Sequence, residues 1–112
     1  QKAVQVRTQL AAEYIRTRDL DSAKRSLDQA LKIDSRDATA NMMMGVLLQQ
    51  EGSKPNMEKA ESYFKRAISA EPDNAMARNN YGTYLYQTER YNEAIEQFAR
   101  AGATLGYDQR FQ

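Results

Sequence analysis

Two carboxylate pairs are the first residues of this chain whose spacing could do chemistry: Asp34 with Asp37, and Glu58 with Glu61. Acids three residues apart on a helix share a face, where they could divide general-acid and general-base roles or hold a divalent cation. The 112 residues include no histidine and no cysteine, which excludes His-based proton transfer, thiolate metal sites, disulfides and lipidation within this stretch. The other reactive types, Lys, Tyr and Ser, fall at scattered helical positions without a convergent pocket. Both carboxylate pairs sit at exposed, capped helix ends and are expected to be solvated. The sequence therefore assigns no catalytic residue, no metal site and no cofactor, and the chain is expected not to be an enzyme.

A different chemistry is offered by Met, Tyr, Asn, Gln and Thr, which bind other polypeptides rather than transform them. The formal charge is +1, from 16 basic and 15 acidic residues that are interspersed, so the electrostatic footprint of a nucleic-acid or anionic-membrane binder is missing. No apolar run approaches the roughly 18 residues of a membrane span, and no signal-peptide pattern opens the sequence. Because it begins at Gln1, the chain reads as an excised or processed piece, with any targeting information upstream.

The elements that must position those side chains are set by a self-repeat. Ala23, Ala60 and Ala94 are followed four residues later by Leu27, Phe64 and Phe98, and seven later by Ala30, Ala67 and Ala101. Ahead of them lie a second series, Leu10-Ala11 with Tyr14, Met44-Gly45 with Leu48, and Tyr81-Gly82 with Leu85. A period of 34 to 37 residues means stacked helical hairpins, and stacked hairpins present a binding surface. The small residues Ala11, Gly45 and Gly82 are expected to face Ala23, Ala60 and Ala94, letting paired helices approach to about 8 to 10 Å while Leu27, Phe64 and Phe98 fill the space beside them. Ala11, Gly45 and Gly82 are spaced 34 then 37 residues, whereas Ala23, Ala60 and Ala94 are spaced 37 then 34. Three extra residues are thereby placed in the turn of the second hairpin, near 53–55, as a longer loop. Asp37, and Asn74 or Asp73, are expected to cap the first helices of the second and third hairpins, and Asn56 the helix after Pro55. Asp21-Arg25, Asp28-Lys32, Glu61-Lys65 and Glu96-Arg100, each acid before base at i,i+4, mark a solvated outer side.

This pattern resembles the tetratricopeptide repeat over residues 4 to about 108, with matches at Leu10, Tyr14, Ala23 and Ala30, at Gly45, Ala60, Phe64, Ala67 and Pro72, and at Gly82, Ala94, Phe98 and Ala101. The family's Trp position holds Arg7, Asn41 and Arg78, and its terminal Pro is replaced by Ser35 and Gly106 in the outer units. The resemblance implies an all-α fold of helical hairpins stacked in a right-handed superhelix: one repeat over 4–37, a second over 38–74, a third over 75–108, and the start of a missing fourth at 109–112. The stretches Thr8-Gln9-Leu10-Ala11-Ala12-Glu13-Tyr14 and Asn79 to Tyr86, with Arg90-Tyr91-Asn92-Glu93-Ala94, are further similar to the type IV pilus biogenesis lipoproteins known as PilF or PilW, the pilotins of the pilus secretin. That resemblance implies a scaffold with the secretin as protein partner, assisting its localisation and assembly at the periplasmic face of the outer membrane from a lipid anchor upstream of this fragment. Neither nucleic acid nor direct membrane contact by the fragment is implied. The alternative is a generic adaptor binding a peptide segment of an unrelated partner.

In the family the first helix of each hairpin lines a concave groove. The inward positions are Gln5, Thr8, Ala12, Ile15 and Arg16, then Thr39, Met42, Val46, Gln49 and Gln50, then Met76, Asn79, Thr83, Tyr86 and Gln87. Met43 and Met44 are expected in the core and Met42 in the groove, so that Met42→Glu or Val46→Glu weakens binding. Tyr81 and Tyr84 are expected to pack between hairpins with their hydroxyls at the surface, whereas Tyr86 is open to packing or contact with a partner. Asn79 and Asn80 are open to peptide-backbone contact or an inter-helix hydrogen bond. The carboxylate clamp of chaperone-binding relatives is absent, its positions holding Thr8, Ala12, Met43, Met76 and Asn80. At the cut end Ile95, Phe98 and Ala101 are expected to lack a cover, leaving residues 105–111, with Leu105, Tyr107 and Phe111, to fold back or the chain to self-associate.

Overall fold

The computed structural model describes residues 2–105. Six helices follow one another: α1 (Lys2–Arg16), α2 (Leu20–Ile33), α3 (Ala38–Glu51), α4 (Lys54–Ala70), α5 (Ala75–Gln87) and α6 (Tyr91–Leu105). Tyr107 and Phe111 lie outside the described residues.

Four of the helices, α2 to α5, start where a short polar side chain can accept from an otherwise unpaired amide. Asp19 accepts from Ser22 N, Asp37 from Ala40 N, Ser53 from Asn56 N and Asn74 from Ala77 N. Ser53, rather than Asn56, therefore caps α4, and Asn56 instead donates its side-chain amide to Glu51. The three extra residues of the second hairpin do not lengthen a loop. Gly52 and Ser53 alone separate α3 from α4, and α4 runs for 17 residues against 14 in α2. The insertion has become about one additional turn at the start of α4, with Pro55 in that first turn, where its missing N–H is not needed.

Helices pair as antiparallel hairpins, α1 with α2, α3 with α4 and α5 with α6, and neighbouring hairpins join through α2 on α3 and α4 on α5. The small-against-large pairing that drives this nesting is visible at the glycines. A Cβ built on Gly45 would stand 2.9 Å from Cε1 of Phe64, and one on Gly82 2.7 Å from Cε1 of Phe98. Ala11, Ala23, Leu27, Ala30, Ala60, Phe64 and Ala67 are completely buried. Between the second and third hairpins, the rings of Phe64, Tyr81 and Tyr84 cluster with centroids 5.7 to 6.1 Å apart, each such pair contributing about 0.5–1.5 kcal/mol beyond simple burial.

Two expectations about polar groups are corrected at the same junction. The Tyr81 and Tyr84 hydroxyls are not at the surface: Tyr81 donates to Glu61 at 2.7 Å and Tyr84 to the Met57 carbonyl at 2.9 Å. Glu61 is not a solvated carboxylate either, since its side chain is 19% exposed and also pairs with Arg90 at 2.7 Å. It keeps the anticipated Lys65 partner at 3.8 Å, and Glu96 meets Arg100 at 3.0 Å. Arg25, by contrast, turns to Ser22 Oγ at 3.0 Å rather than to Asp21. At the far end Ile95 and Phe98 are exposed as expected, but Ala101 is buried.

Candidate functional site: the concave face

Curvature follows from which helices touch. Among the described residues α1 packs on α3 and α3 on α5, whereas α2, α4 and α6 make no such contacts with one another. The first helices therefore form the inner side of a bend and the second helices the outer side. A depression of about 580 Å3 opens at the α1–α2 turn, lined by Ile15, Arg16, Arg18, Leu20 and Gln50. A second of about 270 Å3 adjoins it through Gln50 and is lined by Val46, Gln49, Asn80, Thr83 and Gln87. Together they make a groove with an aliphatic and guanidinium end and an amide-rich middle.

The amides are held in place by each other. Gln49 Nε2 donates to Gln87 Oε1, a bond that ties α3 to α5 across the groove floor. A side-chain amide retains unused donor and acceptor capacity after one such bond, and this is what a peptide main chain requires. Charge is nearly cancelled. Arg16 is bonded through its guanidinium to Glu13 three residues before it, which lowers the Glu13 carboxyl below its ordinary value and raises Arg16. Arg18 is the remaining cation on the lining. An exposed depression on the outer side is lined by Ser35, Arg36, Arg66, Ser69 and Ala70.

Of the residues expected in the groove, Ile15, Arg16, Val46, Gln49 and Thr83 line these depressions, as do Gln50 and Gln87. Thr8 and Met42 do not. Thr8 is buried and its hydroxyl donates to the Gln5 carbonyl at 2.9 Å. Met42 is 7% exposed and packs with Ala38, Ala67 and Ala77. Both hold the position that faces inward in an isolated hairpin, but Ala77 shows that for Met42 the first helix of the next hairpin closes over it. The equivalent Asn79 has no following hairpin among the described residues and is exposed. Ala12 and Met76 are exposed, Met76 at 64%. Tyr86, 61% exposed, stands edge-on to Tyr91 with centroids 5.4 Å apart, so packing and exposure coexist there. Met44 is in the core as expected, and Met43 is half-buried.

Arg18 and Leu20 were not anticipated. They line it at the α1–α2 turn, where Arg18 adopts a left-handed backbone conformation, φ 69°. Gly52, φ 81°, and Glu89, φ 64°, occupy the same place in the other two hairpins. The turns themselves are legible in the sequence, at Thr17-Arg18-Asp19, from Gly52 and at Thr88-Glu89-Arg90; that Arg18 and Leu20 line the groove is not.

Three stacked helical hairpins with a lined inner surface define an α-solenoid of the protein-binding kind. The chain belongs to the tetratricopeptide repeat family, whose profiles match residues 4–37 and 56–106. It is 32% identical over 102 residues to the type IV pilus assembly protein PilF of Pseudomonas aeruginosa, a match that takes in 91% of this chain and 39% of that protein. A Haemophilus influenzae protein of uncharacterised role is 28% identical over 101 residues, covering 90% of this chain and 55% of its own length. Among solved structures, Pseudomonas aeruginosa PilF superposes with a TM-score of 0.87 at 30% identity, covering 97% of this chain and 48% of that one. PilW, described as a widely conserved type IV pilus biogenesis factor, superposes at 0.85 and 31% identity, covering 96% and 48%. The chain thus spans about half the length of the solved relatives.

Proposed function

We propose that this chain is a non-catalytic scaffold of type IV pilus biogenesis that holds a segment of the pilus secretin in its concave groove, at the periplasmic face of the outer membrane. The observation that carries this reading is the likeness to PilF across 91% of the chain. The groove supplies the manner of binding. Ile15, Val46 and Leu20 offer apolar area, while Gln49, Gln50, Asn80 and Gln87 match the alternating donors and acceptors of an extended main chain. A nearly neutral lining selects a segment by shape and main-chain bonding rather than by a terminal carboxylate.

Thr83→Lys is the discriminating variant, because Thr83 is exposed on the lining and its replacement leaves the core intact. Met42→Glu would test folding instead, given its burial. In a pull-down from an outer-membrane extract of a piliated bacterium, the unaltered chain and the outer-face variant Lys59→Glu are expected to retain the secretin. Thr83→Lys is expected to lose it. Retention by all three, or absence of the secretin from all three, would refute the proposal.

A further inference from the structure

On the outer side of the bend a cleft lies between α2 and α4, at the junction of the first and second hairpins. Its two depressions, of about 390 and 300 Å3, share Ser35 and Arg66 and are therefore continuous. Arg36 lines the first and Lys32 the second, so three cations face the cleft against a single acid, Asp28.

These cations lack counter-charges. Among the described residues none of Lys32, Arg36 and Arg66 forms an ion pair. The Asp28–Lys32 pair expected from its i,i+4 spacing is not made, and Asp34 accepts from the main-chain N–H of Arg36 at 3.0 Å rather than from a guanidinium. Arg66 lies over the Tyr63 ring, its guanidinium carbon 4.9 Å from the centroid. Stacking of this kind fixes the plane of the group and leaves its edge N–H donors free for a carboxylate. Ser35 and Ser69 add exposed hydroxyls to the same lining.

The repeat supplies an internal control. At the next junction, between α4 and α6, the places of Lys32, Arg36 and Arg66 hold Ser69, Asp73 and Arg100. Arg100 is paired with Glu96 at 3.0 Å, and the place of Glu96 in the second hairpin holds Ser62. The same fold thus carries the cluster at one junction and cancels it at the other, so helix packing does not demand it. Nor do the helix dipoles, since Lys32 alone of the three lies in the last turn of its helix. Like charges gathered around one cleft repel, and a bound anion removes that cost.

We propose that this outer cleft seats a short acidic segment of a protein partner, its Glu or Asp carboxylates received by Arg36 and Arg66, and by Lys32 further along. Charge complementarity selects the occupant and the shape of the site its source. A concave cleft flanked by Asp28 and Asp34 admits a narrow chain, whereas an anionic bilayer or a nucleic acid needs a broad basic face, and the formal charge of this molecule is only +1. The cleft is separate from the concave groove and does not rest on what that groove binds.

Fluorescence anisotropy with a rhodamine-labelled hexaglutamate peptide at low ionic strength tests this on the full chain. The variants are Arg36→Glu, Arg66→Glu and the charge-matched Lys59→Glu, all at exposed positions and all checked for helical content by circular dichroism. Lys59→Glu is expected to bind the peptide within about twofold of the unaltered chain, and Arg36→Glu and Arg66→Glu to bind it more weakly by more than about tenfold. Vesicles containing phosphatidylglycerol are expected not to retain the chain. Absence of peptide binding, an equal loss in Lys59→Glu, or retention by the vesicles that Arg66→Glu abolishes would overturn the proposal.

Discussion

Gly45 and Gly82 hold equivalent positions, yet the same methyl group would be received differently at each. Phe64 opposite Gly45 is fully buried and cannot yield, whereas Phe98 opposite Gly82 is 40% exposed and can swing outward. Overpacking costs about 1–3 kcal/mol and the gain in helix propensity returns about 1. Gly45→Ala is therefore expected to destabilise by about 1–2 kcal/mol in urea denaturation, and Gly82→Ala to be close to neutral. Tyr81 gives a second residue-scale outcome. Burial first, and then its bond to Glu61, raise its hydroxyl above the ordinary value of 10.0. The folded state thus favours the protonated phenol, so this contribution is complete below pH 10.0 and declines as pH rises above it toward the raised folded value. Tyr81→Phe is expected to cost about 1–2 kcal/mol at neutral pH, from loss of a bond to a charged acceptor, and to flatten the alkaline limb of the stability curve. Asp19 has the opposite sign. Its bonds to Ser22 lower it below 3.8, so its contribution is present above that value and lost as pH falls through the folded one. Asp19→Ala is expected to lower the melting temperature at pH 7 and to leave it unchanged near pH 2. The small-and-large alternation around the glycines was legible in the sequence because it recurs with the repeat. The role of Glu61 was not, because Tyr81 lies twenty residues away and only stacking brings them together.

Helices and turns carry their own test. Arg18, Gly52 and Glu89 all place a left-handed residue at the hairpin turn, with φ of 69°, 81° and 64°. Only glycine adopts that conformation without steric cost. Arg18→Gly and Glu89→Gly are each expected to raise stability by about 0.5–1 kcal/mol, and Gly52→Ala to lower it by about 1 kcal/mol, as read from denaturant midpoints. The same turns show how far local signals reach. Pro55 looked like a break and the three inserted residues like a loop, but proline in a first turn is compatible with helix, and Ser53 supplies the cap. Caps at Asp37 and Asn74 were readable because their side chains bond within three residues. Met42 was misplaced because its surroundings are set by Ala77 on another hairpin.

On the scale of the whole molecule, first helices in mutual contact and second helices apart bend the array, and the bend makes one side a groove. An all-α repeat fold follows from periodicity, whereas the identity of the inner helices follows from the resemblance to the tetratricopeptide repeat. Which side chains of those helices stay open depends on how closely successive hairpins approach, and that distance is set by small residues such as Ala40 and Ala77, both fully buried. The most direct test of the groove is site-specific photo-crosslinking to the pilus secretin in outer-membrane extract. A benzophenone side chain placed at residue 49 or 83, on the inner side, is compared with one at residue 28 or 62, exposed on α2 and α4. Binding along the concave face requires crosslinks from 49 and 83 and none from 28 or 62. Crosslinks that arise equally from both sides, or from 28 and 62 alone, would contradict it.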